Sequence, residues 1–161
     1  MSNSPVLSHL DQRGQSHMVD VGNKPITARE AVAETLVVFP PAAFDLVKDG
    51  DLPKGGIVEP ARIAAIQAAK RTSELIPMCH QLPLDSVEIE VVTDSRQSTI
   101  RITSTVRATA RTGVEMEAMV AASTAALVVY DMTKALSKGI VIERTRLLRK
   151  SGGKSGLWEA Q

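Results

Sequence analysis

The chain has 161 residues, which is enough for one domain with a core of its own, and it carries a formal net charge of +1 and a single cysteine. The near-neutral charge excludes a general attraction for nucleic acid or anionic membranes, and one cysteine excludes an intrachain disulfide framework. No apolar segment is long enough for a signal peptide or a membrane span, so we expect a cytoplasmic protein.

The first third of the chain predicts a tail, two strands and a short helix. Residues 1–16 are polar and contain Pro and Gly, which is typical of a mobile tail. His17–Val21 is a candidate short strand. Ala33–Phe39 is predicted as a strand because β-branched residues concentrate there and Pro40 ends it. A short helix is expected over Pro41–Lys48.

The rest of the chain alternates between helical and strand patterns. Pro60 suits the first turn of a helix that ends before Pro77. Apolar residues at every second position then predict two strands joined by a hairpin loop. A long helix and a last strand follow. These elements are the strands at 86–92 and 98–109, the loop Asp94–Ser98, the helix Gly113–Lys138 and the strand Ile140–Leu148.

The order of these elements predicts an α+β fold. Strand, helix, strand, strand, helix, strand is the βαββαβ arrangement of the ferredoxin-like fold, an antiparallel sheet with two long helices on one face. A small helix is inserted after the first strand. We assign residues 17–156 to one domain and residues 157–161 to a C-terminal tail. The fold alone gives no function, because it hosts RNA binders, enzymes and metal carriers alike.

The long helix at Gly113–Lys138 carries chemically informative residues at both ends. Glu115 lies in its first turn and Lys134 near its last, as the helix dipole favours, whereas Asp131 is an acid near the unfavourable end. Glu115 and Asp131 are 16 residues apart, hence about 24 Å apart on a continuous helix, and they face nearly opposite directions. Either only one end matters, or a site takes Glu115 from one subunit and Asp131 from a neighbour.

The adjacent Cys79 and His80 lie in a loop between a predicted helix and a predicted strand. Loops often carry function, but a lone histidine is more often structural. The chain has no other cysteine, and His9 and His17 are its only other histidines, so zinc-type spacing is missing. We expect no metal site built by the protein.

The segment Lys150–Gly156 contains Gly-Lys-Ser but is not a P-loop. The motif requires a glycine five residues before Gly153, but that position is Leu148. No helix is expected after the segment either. Its backbone amides can still hold phosphate, and a solvated C-terminus is an equal alternative.

Several lysines and arginines are most simply explained as ordinary surface residues. Most of the lysines nevertheless stand beside glycine-rich or helix-end segments, where a chain that binds a polyanion would place them. The arginines of the last strand add to this character or protect an edge strand from aggregation. The lysines are Lys54, Lys134, Lys150 and Lys154, and the arginines are Arg144, Arg146 and Arg149.

Six segments carry a resemblance to a known family. They are Met18–Val21, Pro60–Thr72, Leu75–Leu82, Thr112–Leu127, Tyr130–Ala135 and Arg146–Gly156. In this order they resemble the cyclic pyranopterin monophosphate synthase family, accessory protein C of molybdenum cofactor biosynthesis. Several independent motifs in the right order make the resemblance specific.

The resemblance implies an activity and an assembly. Members of this family convert 3′,8-cyclo-7,8-dihydroguanosine triphosphate into cyclic pyranopterin monophosphate and release pyrophosphate. They are similar in fold to the ferredoxin-like prediction and form homohexamers, as trimers of dimers, with active sites at the dimer interface. The protein builds no cofactor site, and Mg²⁺ can accompany the triphosphate.

The resemblance also implies residue roles. Asp131 matches the catalytic acid or base, Lys134 its neighbouring catalytic lysine, and Lys54 the lysine of a catalytic loop. The positions that match substrate contacts are Met78, Cys79, His80, Glu115, Met116, Lys150 and Lys154. Gln81 and Gly56 depart from the family pattern, which bears on loop shape more than on activity.

Two other classes of function remain as alternatives. An RNA-binding module of this fold would need exposed sheet aromatics and a basic surface, but the strands at 86–92 and 98–109 contain no aromatic residue. A non-catalytic oligomeric scaffold is disfavoured because Asp131, Lys134 and Lys54 are all present.

Overall fold

A computed structural model describes residues 8–48 and 56–161, which form five strands and four helices. In chain order they are β1 (Thr27–Val38), α1 (Pro41–Phe44), α2 (Val58–Lys70), α3 (Thr72–Leu75), β2 (Ser86–Asp94), β3 (Thr99–Ala110), α4 (Glu115–Thr133), β4 (Val141–Ser151) and β5 (Trp158–Glu159). The strands form one antiparallel sheet in the order β2-β3-β1-β4-β5. The predicted α+β class is confirmed, and the sheet has one strand more than the four of the predicted βαββαβ arrangement.

Strand β1 is central, and its alternation separates two faces of the sheet. Ala31, Ala33 and Val37 are fully buried beneath the helices, whereas Glu30 and Glu34 lie on the opposite face. The strand begins at Thr27, six residues before the predicted start. The first half of the strand has low strand propensity because it contains Ala, Arg and Glu. It is nevertheless a strand, because it pairs with β3 from Thr27 onward.

The two long helices pack side by side over the sheet through alanine. Helix α2 lies on β2, and α4 lies on β1, β3 and β4. Six alanines in this contact layer are at most 2% exposed: Ala61, Ala65, Ala69, Ala121, Ala122 and Ala125. Small side chains let the helix backbones approach closely, so the layer has little room for larger groups.

The ends of several elements differ from prediction. Helix α4 spans Glu115–Thr133, shorter than predicted at both ends. The single helix expected up to Pro77 is divided, because Arg71 has non-helical dihedral angles (φ −110°, ψ 12°) between α2 and α3. The helix expected to Lys48 is helical only to Phe44.

The predicted strand at His17–Val21 is wrong. These residues pair with no strand within the part of the chain that the structure describes. Val19 and Val21 instead line a cavity at the start of α4, so their alternation reflects contact on one side without a strand partner. Trp158 and Glu159, in the predicted C-terminal tail, pair with β4 as β5. Residues 1–7 of the predicted N-terminal tail lie outside the described residues.

No helix of the described ranges is both long and apolar enough to span a bilayer.

The tight alanine layer predicts a large penalty for added volume at Ala65 in α2. Ala65→Leu should destabilise the fold by about 1–3 kcal/mol, because the extra methyl groups must displace α4. Gln67→Leu adds the same side chain on the exposed face of α2 and should change stability by less than about 0.5 kcal/mol. Urea denaturation of both variants measures the difference. Equal losses would show that the helix contact is not close-packed.

Candidate active site

Two adjoining cavities open at the start of α4. The first, here called the carboxylate pocket, encloses about 240 Å³ and is lined by Cys79, His80, Glu115, Met116 and Glu117 among others. The second, here called the basic pocket, encloses about 510 Å³ and is lined by Lys24, Arg29, Arg111, Lys150 and Lys154 among others. Lys24, Thr112, Gly113 and Glu115 line both pockets. The two cavities therefore adjoin, and together they are here called the cleft, with an acidic and a basic half.

The first turn of α4 supplies the carboxylates of the carboxylate pocket. Glu117 is only 4% exposed, and burial raises its pKa from 4.5 to about 7, with a further contribution from the charge of Glu115. A hydrogen bond from the backbone N–H of Glu117 opposes part of this rise. Glu117 is therefore divided between its protonated and ionised forms near neutral pH, as a group that transfers protons must be.

The loop after α3 forms the opposite wall of this pocket. It begins with a turn in which the Cys79 N–H donates to the Ile76 carbonyl at 3.0 Å. Burial, and then the charge of Glu117, raises the pKa of the Cys79 thiol. The thiol is therefore protonated at neutral pH, which suits a hydrogen-bonding or packing role better than nucleophilic attack.

A glycine turn after β4 forms one wall of the basic pocket. Gly152 and Gly153 have positive φ angles of 95° and 69°, which favour glycine. A β-carbon on Gly152 would overlap the Ala28 carbonyl, and one on Gly153 would overlap the Arg29 guanidinium. The turn thus lies directly against β1. Lys150 at its start donates a hydrogen bond to Ser155 near its end.

Arg29 links three parts of the basic pocket. Its Nε donates to the Ala110 carbonyl and its Nη2 to the Arg111 carbonyl, both at 3.3 Å, so it joins β1 to the end of β3. Its guanidinium also lies against Gly153. Arg29 therefore holds the glycine turn next to the segment that leads into α4.

Asp131 and Lys134 lie at the other end of α4. Lys134 Nζ donates to Asp131 Oδ1 at 2.6 Å, and this bond raises the pKa of Lys134. Both side chains are more than half exposed, at 72% for Asp131 and 52% for Lys134. Because α4 is continuous from Glu115 to Thr133, one copy of the chain does not bring this pair to the cleft. Lys54 lies outside the described residues.

The arginines of β4 point to a different role from phosphate binding. Arg144 and Arg146, together with Arg101 of β3, surround the Glu34 carboxylate, whose side chain is only 7% exposed. Arg149 and Arg107 pair with Glu30, and Arg107 is the largest cause of its lowered pKa. These arginines neutralise carboxylates on the open face of the sheet, and none of the three β4 arginines lines the basic pocket.

Comparison with known proteins identifies the family. The MoaC family matches residues 18–153. A protein of Herpetosiphon aurantiacus named cyclic pyranopterin monophosphate synthase is 55% identical over 94% of this chain and 92% of its own length. Proteins of the same name from Thermomicrobium roseum and Chloroflexus aggregans are each 50% identical over 96% of the chain, covering 93% and 94% of their own lengths. The chain belongs to the MoaC family. The predicted resemblance is confirmed.

The cleft of this MoaC family member contains residues that the sequence did not single out. Three basic residues of the pocket have no signal in the sequence. The register of β1 places Arg29 there, and segments without regular structure place Lys24 and Arg111 there. Glu117 was visible only as an acid in a first helical turn, and its burial depends on the loop after α3. Of the predicted substrate contacts, the cleft brings together Met78, Cys79, His80, Glu115, Met116, Lys150 and Lys154.

The raised pKa of Glu117 predicts a pH-dependent stability cost. Its folded pKa of about 7 exceeds the unfolded value near 4.5, so between these pH values the unfolded state binds fewer protons and stability falls as pH rises. Glu117→Gln should therefore be more stable than the parent by about 2 kcal/mol at pH 8. This difference should vanish at pH 4, where both states of the parent are protonated. Urea denaturation at both pH values measures it, and a difference independent of pH would contradict the burial of an ionisable carboxyl.

Proposed function

We propose that the chain is a cyclic pyranopterin monophosphate synthase. It converts 3′,8-cyclo-7,8-dihydroguanosine triphosphate into cyclic pyranopterin monophosphate and pyrophosphate, an early step of molybdenum cofactor biosynthesis. The observation that carries the proposal is one cleft with a carboxylate half and a basic half, in a chain whose relatives carry this name at 50–55% identity.

The two halves of the cleft suit the two ends of this substrate. The guanine-derived end presents N–H and O–H donors, which the carboxylates of Glu115 and Glu117 can accept. The triphosphate end carries several negative charges, which Lys150, Lys154 and the amides of the glycine turn can bind. The shared wall at Glu115 and Lys24 keeps the two ends within one ligand's length.

The chemistry needs proton transfer and then phosphoryl transfer. Opening and re-closing the guanine-derived ring moves protons, and we assign this role to Asp131 as acid or base with Lys134 beside it. A substrate hydroxyl then forms a bond to the α-phosphorus while the bond to the β-phosphate breaks, and pyrophosphate leaves. Lysine ammonium groups, including Lys54, stabilise the negative charge that develops on the phosphates.

The proposal includes an assembly, because one copy separates the two sets of residues. Glu115 and Asp131 are at opposite ends of one helix, about 24 Å apart. We propose a homohexamer, a trimer of dimers, in which each active site lies at a dimer interface and combines the cleft of one subunit with the Asp131 end of its neighbour.

Two finer points belong to the same proposal. We assign β1 to β4 with α2 and α4 to a ferredoxin-like arrangement, to which β5 adds an edge strand, and the antiparallel pairing of the strands supports this assignment. The reaction uses no cofactor built by the protein, and Mg²⁺ would enter with the triphosphate. Across residues 8–48 and 56–161, no three His, Cys, Asp or Glu side chains are grouped to hold a metal ion.

Pyrophosphate release from the cyclic dihydro-nucleotide tests the activity. The purified parent should release pyrophosphate, and Lys54→Ala and Asp131→Asn should each lower kcat at least about 100-fold, since each removes a catalytic group. Asp45→Asn is a matched control, because Asp45 forms an exposed pair with Lys48 at the same i,i+3 spacing, with a separation of 3.1 Å. An inactive parent, or an active Asp131→Asn, would overturn the activity or the residue assignment respectively.

Mixing two inactive variants tests the shared site. Glu115→Gln and Asp131→Asn should each be nearly inactive alone. When the two are unfolded together and refolded as a mixture, random pairing should leave roughly a quarter of the sites with both native groups, and that share of activity should return. A site contained within one subunit would give no recovery, because every copy would carry one of the two lesions.

A further inference from the structure

A short hairpin lies at the mouth of the carboxylate pocket, N-terminal to the residues that match the MoaC family. Residues 8–17 are all exposed, so packing against the body does not hold them. Ser8 and His9 are nevertheless part of the pocket wall, together with Cys79, His80 and Glu115. The hairpin thus brings a histidine to the acidic half of the cleft.

The hairpin is held by its own hydrogen bonds. Leu10 forms a β-bridge with Ser16, and the His17 N–H donates to the His9 carbonyl at 3.0 Å. At the turn, Asp11 Oδ1 accepts hydrogen bonds from the backbone N–H groups of residues 13 and 15, both at 2.8 Å, and Gly14 has a positive φ of 75°. These bonds fix the backbone of His9 at the mouth of the pocket.

One contact distinguishes the two ring nitrogens of His9. His9 Nδ1 lies 3.4 Å from the His17 carbonyl oxygen. A carbonyl oxygen only accepts, so Nδ1 is the donor in this contact, and the tautomer that makes it has Nε2 as the acceptor. In that tautomer, His9 would bring a further hydrogen-bond acceptor to the wall of a pocket that is also lined by Glu115 and Glu117.

We propose that His9 is a substrate-contacting residue that recognises the guanine-derived end of the substrate. Its Nε2 accepts a hydrogen bond from an N–H or O–H of that end, beside the acceptors supplied by α4. The inference rests on the proposed function for the identity of the ligand. It adds to the site a residue from outside the matched family segment, and it assigns that residue to the carboxylate pocket and not to the basic pocket.

Steady-state kinetics on full-length variants test this contact. His9→Ala should raise KM for the cyclic dihydro-nucleotide about 5–10-fold, the loss expected for one hydrogen bond, with kcat changed less. His9→Gln places an amide near the position of Nε2 and should recover part of the loss. The inhibition constant of pyrophosphate should stay at the parent value, because pyrophosphate probes the basic pocket alone.

His17→Ala is the matched control. It removes the other imidazole of the same hairpin but keeps the backbone N–H and carbonyl that pair with His9, so its KM should stay within twofold of the parent. Thermal unfolding of both variants should match the parent, since both side chains are exposed.

Each other outcome counts against the proposal. An unchanged KM in His9→Ala, or equal losses in His9→Ala and His17→Ala, would reduce the hairpin to a structural element. A pyrophosphate inhibition constant that rises in parallel with KM would move His9 to the phosphate end. An inactive parent would overturn the proposed function, and this inference with it. An active parent whose His9→Ala variant has an unchanged KM would overturn this inference alone.

Discussion

The close contact of α4 with the sheet and with α2 is the constraint on which the site depends. Alanines on α4 allow that contact, and Ser104 of β3 donates a hydrogen bond to the Ala118 carbonyl at 2.6 Å, which fixes the helix along its axis. Because the helix cannot slide or rotate without opening this layer, its first turn stays at the end of β3. Glu115 and Glu117 are thereby held where the loop after α3 and the glycine turn after β4 converge. A helix seated through larger side chains would stand further from the sheet and leave a wider, wetter cleft.

The charges of the molecule are divided between structure and site by the two faces of the sheet. On the open face, Glu30 and Glu34 each pair with more than one arginine, and Glu30 also lines the basic pocket. At the end of the sheet, Lys24, Lys150 and Lys154 surround a cavity with backbone amides. Because basic side chains gather at this one cavity, a chain with a net charge of only +1 can still present a basic pocket.

The sequence predicted the elements better than the site, for physical reasons. Alternation in β2 and β3 and helix-forming residues in α4 are local signals, so these elements are predicted in the right order, the two strands within two residues of their limits and α4 up to five residues too long at one end. The start of β1 was missed because pairing with β3 outweighs the weak propensity of its first residues. Arg29 joins the basic pocket only through strand register, and Glu117 acquires its raised pKa only through burial. The motif resemblance identified cleft residues that are adjacent in sequence, such as Met78 to His80.

The exposure of the Asp131–Lys134 pair ties the proposed chemistry to assembly. An exposed ion pair one helical turn long is screened by water and contributes little stability. At an interface the same pair would lose part of its solvent, and the lower local dielectric would strengthen both their mutual interaction and their effect on a bound phosphate. The acid–base pair would then reach its working state only when a neighbouring cleft closes over it. In the proposed hexamer, a helix too long to serve one site with both ends would make activity conditional on assembly.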